Sequence, residues 1–311
     1  MKRINILGIS LFIFCLLFFS GCTQPESEGD EDFFDEAFPQ EGTRRLEDRY
    51  MWSEMTHGPY HDKISYARSE DLLHWVDSEE TLMEHASVPG ALYKDGVIYM
   101  YFVDVSEDGI AERTGLIRSE DNGETWLDKQ WISFEGIGNK VPVDPAPFLL
   151  DDGRIRMYYF DINEARAPAG HLSVNKIYSA ISTDGIYFVH EEGVRFSRQD
   201  VFDPVVIYEQ GLWRMYVGDI TNNQVICATS SDGLTFIEEG IALTGGAIPE
   251  VVFKEDTYYL FTGGIDISLS IDGVHFTKTD HLFRSNLGMI TADPSVIELN
   301  DGTYLMFYKY K

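Results

Sequence analysis

Apolar and polar positions alternate along most of this chain in short runs broken by Gly-, Asp- and Asn-rich turns, the period-2 pattern of strands and not the period of helices. The clearest stretch, VFDPVVIYEQGLWRMYVGDITNNQVICATSSDGLTF from Val201 to Phe236, reads as four strands joined by three tight turns. Its first half returns as VDPAPFLLDDGRIRMYYFD at Val143 and ADPSVIELNDGTYLMFYKY at Ala292, and without Asp before the proline as VPGALYKDGVIYMYFVD at Val88 and IPEVVFKEDTYYLFTGG at Ile248. Its second half, Ser-x-Asp, a Gly-type turn and an aromatic, returns at Ser69, Ser119, Ser182, Ser230 and Ser270. Five alternating copies of each half predict an all-β fold, a five-bladed β-propeller with four antiparallel strands per blade.

The ends predict how the ring closes. The copy beginning at Ala292 has only two strands before Lys311, whereas KISYARSEDLLHW from Lys63 has only the last two. A fifth blade made of C-terminal inner and N-terminal outer strands removes the free sheet edge at the seam. Residues 50–311 then form one domain, expected to be a monomer.

Charge narrows the partners. With 24 basic against 52 acidic residues, net −28, the folded part has no basic stripe with which to bind nucleic acid or anionic membrane, and neutral or cationic ligands are favoured. The start, MKRINILGISLFIFCLLFFSGC, is basic, then apolar, then small before a cysteine, as in a secretory signal. FFSGC resembles a lipobox, with Phe19 where Leu is usual; that resemblance implies a signal peptide over residues 1–21, lipid on Cys22 and an extracytoplasmic, membrane-anchored protein (periplasmic or cell-surface). Residues 22–49, acidic and poor in β-branched side chains, read as a flexible tether. Of the three cysteines Cys15 would leave with the signal and Cys22 would carry lipid, so no intramolecular disulfide is expected and Cys227 reads as a small buried apolar residue.

Ser119-Glu120-Asp121-Asn122-Gly123-Glu124-Thr125-Trp126 fits S-x-D-x-G-x-T-W and resembles the Asp-boxes of sialidases and related propellers. Asp71, Asp184, Asp232 and Asp272 hold the same place in four degenerate copies. Their expected work is local: Ser and Asp oxygens accept turn amides, and Gly takes a positive φ. A sialidase-like enzyme remains a distant alternative, because five blades and no matching arginine trio depart from that family.

The Asp-Pro strands resemble a different group, the five-bladed glycoside hydrolases of the arabinanase and xylosidase family 43, the invertase-like family 32 and the mannoside phosphorylases. In those families carboxylates at the start of the inner strands face substrate in a central funnel. The resemblance implies Asp293 as base or nucleophile and Asp144 as the Asp that orients substrate and tunes the acid. The acid falls to Asp203 or to Glu250, which follows its proline without the families' usual sequence context. Proline also suits the first residue of an innermost strand, and a preceding Asp can brace a turn. A ring, however, would converge these four carboxyls on one axis, where like charges keep one protonated, as glycosidic cleavage requires. On that reading Asn at Asp293 or Asp144 leaves melting unchanged or raised.

Asp104, Asp161 and Asp219, closing the second strands, return to the same mouth; calcium held there is one expectation, solvated loop aspartates the other. The longer loops after Asp104 and Asp161 would wall the funnel, with Arg113, Arg166 and His171 as polar candidates and Trp131 and Trp52 free to stack on a sugar. No His/Cys cluster points to zinc, and no metal ligand set is assigned. The reading is a propeller that takes a carbohydrate ligand, as a glycosidase or as a non-catalytic module binding glycan or protein.

Overall fold

The computed structural model describes residues 59–106, 112–165 and 174–311. Five antiparallel sheets follow one another along the chain. From axis to rim the first blade is Ala86–Lys94, Val97–Asp104, Arg113–Ser119 and Gln130–Trp131, and the second is Pro142–Leu149, Ile155–Asp161, Val174–Ser182 and Tyr187–Gln199. The third is Val201–Glu209, Leu212–Asp219, Gln224–Ser230 and Ile237–Thr244, and the fourth is Glu250–Lys254, Thr257–Thr262, Asp266–Ser270 and Thr277–Leu282. The fifth joins the chain ends: Thr291–Glu298 and Tyr304–Tyr310 continue into Lys63–Ser69 and Val76–Asp77. Seven residue pairs in register, from Lys63↔Tyr310 to Ser69↔Tyr304, close this seam as the half-repeats predict. Two departures lie at the rim. Ser133–Glu135 adds a parallel fifth strand to the second blade, and Met83–Glu84 pairs separately with the seam strand.

Burial explains why no blade stands alone. In the second strands burial is nearly continuous, as across Ile155–Asp161, because both faces meet a neighbouring blade; the outer strand Thr277–Leu282 has no fully buried residue. The buried apolar side chains form five clusters, one per blade interface; Tyr101 and Leu116 meet Met157 and Tyr159 between the first and second blades, and Ile98 and Phe102 meet Leu305 and Phe307 across the seam. Three second-strand tyrosines also reach into the next blade: Tyr101, Tyr158 and Tyr216 donate their hydroxyls to the carbonyls of Gly185, Gly233 and Gly273 at 2.9, 2.8 and 2.7 Å. Each thereby satisfies a buried phenol and a turn carbonyl together.

Those glycines belong to the Ser-x-Asp turns. Ser119 Oγ accepts the Gly123 amide at 2.8 Å and Asp121 Oδ1 accepts the Thr125 amide at 2.8 Å, and Ser182–Asp184, Ser230–Asp232 and Ser270–Asp272 repeat the scheme. In the seam copy Leu72 stands in the glycine place with φ +66° and is itself buried. These aspartates brace turns.

The prolines do not start their strands. In the first, second, third and fifth blades the X-Pro step lies inside the innermost strand at a shift of pairing register, a β-bulge; in the fourth the strand begins at Glu250, just after Pro249. A bulge releases the missing proline N–H from the ladder and re-aims the preceding side chain.

Two outcomes test this architecture. A chain ending at Leu299 lacks the strand that pairs with Lys63–Ser69 and should lose cooperative melting; a sharp, native-like transition would refute the seam. A Cβ on Gly90 would sit 1.7 Å from the Pro145 carbonyl oxygen, whereas one on Gly153 meets nothing within 4 Å and bears only the strain of its φ of +82°. Gly90→Ala should therefore melt well below Gly153→Ala, since overpacking costs about 1–3 kcal/mol or more, and equal melting of the two would show that these blades can separate freely.

Candidate active site at the ring axis

The residue before each proline is the element repeated around the axis: Val88, Asp144, Asp203, Ile248 and Asp293 have φ of +48°, +53°, +49°, +59° and +52°. L-residues avoid that region, β-branched ones most of all, and pre-proline sterics add to the cost. All five flank one axial cavity of about 180 Å³ lined by the inner strands. A void of about 150 Å³ takes up benzene, so the space suits a single ring.

Three of the five positions carry carboxyls. Asp144 and Asp203 sit on adjacent blades, and the Asp203 backbone N–H donates to Asp144 Oδ2 at 3.4 Å. In ring order Val88 separates Asp144 from Asp293 and Ile248 separates Asp203 from it, so Asp293 faces the pair across the axis. Asp293 is 4% exposed and forms an ion pair with Lys309 Nζ at 2.5 Å. Lys309 Nζ lies 3.7 Å from Asp62 Oδ2, which also accepts Ser87 Oγ at 2.9 Å.

Crowding sets the protonation. Burial, then the Asp293 charge, pushes the Asp144 carboxyl up to about 7, with the Asp203 amide and Lys309 opposing and Glu112 adding to the rise. Burial, then Asp144 and Asp293, pushes Asp203 well above the usual carboxylate range. Both keep contact with the cavity although protein surrounds them. Like charges this close cannot all ionise, and the pair retains a proton near neutrality.

Glu250 lines the same cavity from the other side of its proline. Its Oε1 accepts the Val296 amide of the seam blade at 3.0 Å, and burial pushes the carboxyl up to about 8. Ser295, at the same step of the seam blade, accepts the Ala91 amide at 2.9 Å. In the fourth and fifth blades the side chain after the proline thus occupies an inner-strand amide of the next blade while still lining the cavity.

The closing aspartates of the second strands are buried and held by neighbouring donors, unlike solvated loop aspartates. Asp104 accepts Lys129 Nζ at 3.0 Å and Trp131 Nε1 at 2.7 Å, Asp161 accepts the Val141 amide at 3.0 Å, and Asp219 accepts Arg198 Nη1 and Gln224 Nε2 at 2.8 Å each. Among the described residues no group of three or more His, Cys, Asp or Glu is placed to hold a metal ion. Trp131 and Arg113 stack on each other, 3.3 Å from guanidinium carbon to ring centroid, toward the rim of the first blade and away from the cavity lining. Arg166, His171, Trp52 and Cys22, with the leader and tether, lie outside the described residues. Cys227 is buried and free, its thiol pushed up to about 11 by burial.

Three participants escape a reading of the repeats. Lys309 interrupts the apolar strand YLMFYKYK, a charge where alternation calls for core, and that break is the signal that could have exposed it. Asp62 and Glu112 lie just before strands, outside the repeated motif, and carry no such mark.

Comparison with known proteins bears on the fold. No family model and no curated protein matches the chain. Among solved structures it is similar to a thermostable family-43 glycoside hydrolase, with 14% identity, TM-score 0.55, and 72% of this chain and 88% of that one covered. A Bombyx mori GH32 beta-fructofuranosidase gives 14% and 0.57 over 84% of this chain and 60% of that one, and a family 117 glycoside hydrolase from Zobellia galactanivorans gives 12% and 0.52 over 81% and 91%. This chain shares their five-bladed fold.

A pH experiment reads the axis without substrate. Asp144, Asp203, Asp62 and Glu250 all have folded-state pKa values above the ordinary ones. Their contribution to stability is complete below the unfolded value, 3.8 for Asp, and is lost as pH rises through the folded value, about 7 for Asp144. Asp121 is held down at about 2 by its turn bonds and works oppositely, at the acid end. The melting temperature should peak in mild acid and fall toward pH 8, and Asp144→Asn should flatten that fall and melt higher than wild type at pH 8. An unaltered slope would place the Asp144 proton elsewhere. Asp293→Asn should instead melt lower than wild type, against the expectation from repeat equivalence, because it strips Lys309 of its nearest partner.

Proposed function

We propose that the chain is a carbohydrate-acting propeller of glycoside-hydrolase type, and that Asp144, Asp203 and Asp293 are its reaction centre. The carrying observation is the convergence of three carboxyls, each on a left-handed pre-proline kink, on one ring-sized cavity. Two adjacent carboxyls that retain a proton, facing a third held in an ion pair, give the acid on one side and the base or nucleophile on the other that glycosidic cleavage needs. Asp203, sharing its proton with Asp144, gives it to the leaving oxygen; Asp293 acts from the opposite wall as base or nucleophile, and the proton lost from the attacking water restores the pair. Glu250, committed to the Val296 amide, serves as an interblade brace. The solved relatives, named as glycoside hydrolases, support the same class through the shared fold. Lipid on Cys22 would hold this activity outside the cytoplasmic membrane.

The test is hydrolysis of a panel of aryl furanosides and pyranosides and of natural glycans. Asp203→Asn should stay folded and lose about 10²–10⁴-fold in turnover, the usual share of general acid catalysis, and Asp293→Asn should lose at least as much. A wild type that binds a glycan on the panel and cleaves none assigns the axis to recognition alone. A fully active Asp203→Asn removes Asp203 from the acid role.

A further inference from the structure

We propose that Lys309 is the positioning residue of the axial site: bridging Asp293 and Asp62, it fixes Asp293 as the charged carboxylate and leaves the facing Asp144–Asp203 pair to hold the proton. Its place is set by closure of the ring. Lys309 is paired on both sides, with Ile64 of the N-terminal strand and Ala292 of the inner strand. Asp62 is likewise fixed, since its backbone carbonyl accepts the Ala86 amide at 3.2 Å and its carboxylate accepts Ser87 Oγ. One ammonium therefore joins the entry segment, the last strand and the innermost strand at the axis, 2.5 Å from Asp293 and 3.7 Å from Asp62.

The charge balance makes that ammonium decisive. Asp62, Asp144, Asp203 and Asp293 face it, Glu112 acts on Asp144 from the first blade, and Lys311 lies near Asp62 and Lys309. Burial alone would favour loss of the Lys309 proton, but Asp293 and Asp62 outweigh it and hold the ammonium above its usual range. An ammonium seated on Asp293 selects which carboxyl is ionised, and the two it does not touch are left to crowd each other. The consequence for catalysis rests on the proposed reaction centre; the coupling itself needs no turnover.

The experiment is a carboxyl-carbon NMR titration of protein labelled with ¹³C at Asp Cγ. Axial signals are assigned by their loss in Asp144→Asn, Asp203→Asn and Asp293→Asn, and each variant is first checked for cooperative melting. In Lys309→Met at least one axial midpoint should rise by about 1–3 pH units, the usual effect of a neighbouring opposite charge. Lys309→Arg should restore it, and Asp62→Asn, which removes an anion, should lower the midpoints. Unmoved midpoints in folded Lys309→Met overturn the proposal, and should that variant not fold, unmoved midpoints in Asp62→Asn overturn it equally. A wild type without glycosidase activity would refute the hydrolase reading alone, leaving the titration to decide the role of Lys309.

Discussion

The left-handed kink before each inner-strand proline is the constraint on which the rest depends. Non-glycine residues held in sparsely populated backbone regions cost roughly 1–3 kcal/mol each, and the axis holds five of them before its inner-strand prolines, two of these the β-branched Val88 and Ile248. Such geometry persists only where the surroundings over-determine it. Here they do: each inner strand is fixed by its own ladder on one side and by apolar clusters at the blade interfaces on both faces, and Gly90 lets the first two blades approach more closely than any side chain would permit. The kink divides labour within one motif. The side chain before the proline lines the cavity, and in the fourth and fifth blades the one after it, Glu250 or Ser295, also caps an amide of the next blade.

With the apolar clusters at the five interfaces, the axis is free to be polar. The carboxyls of Asp144, Asp203 and Asp293 are held there by strands whose stability comes from elsewhere, so their mutual repulsion is tolerated and not relaxed. That repulsion keeps a proton on a carboxyl near neutral pH, the state the proposed cleavage would draw on, and in the proposed role Lys309 gives it direction by neutralising one side of the ring.

What the sequence made legible follows from repetition. Blade number, strand order, the Ser-x-Asp turns and the seam all recur or complete one another, and a recurring pattern at fixed spacing carries its own structural meaning. Asp144, Asp203 and Asp293 were visible for the same reason. Glu250 was visible beside its proline and lines the same cavity, but its bond to the Val296 amide of the next blade is a contact that no linear spacing reveals. Asp104, Asp161 and Asp219 recur as faithfully, but their partners Lys129, Val141, Arg198 and Gln224 lie outside the repeated motif, and no linear spacing reveals that the aspartates are already engaged. Lys309 and Asp62 meet only through closure of the ring, a contact between the two ends of the domain.

Neutron diffraction from a deuterium-exchanged crystal grown near neutral pH addresses the central claim most directly, because it locates protons on carboxyl oxygens. The account predicts a deuteron on Asp203 or shared between Asp203 and Asp144, with a fully deuterated Lys309 ammonium against a bare Asp293 carboxylate. A map in which Asp144 and Asp203 are both bare, or in which the deuteron lies on Asp293, would contradict it.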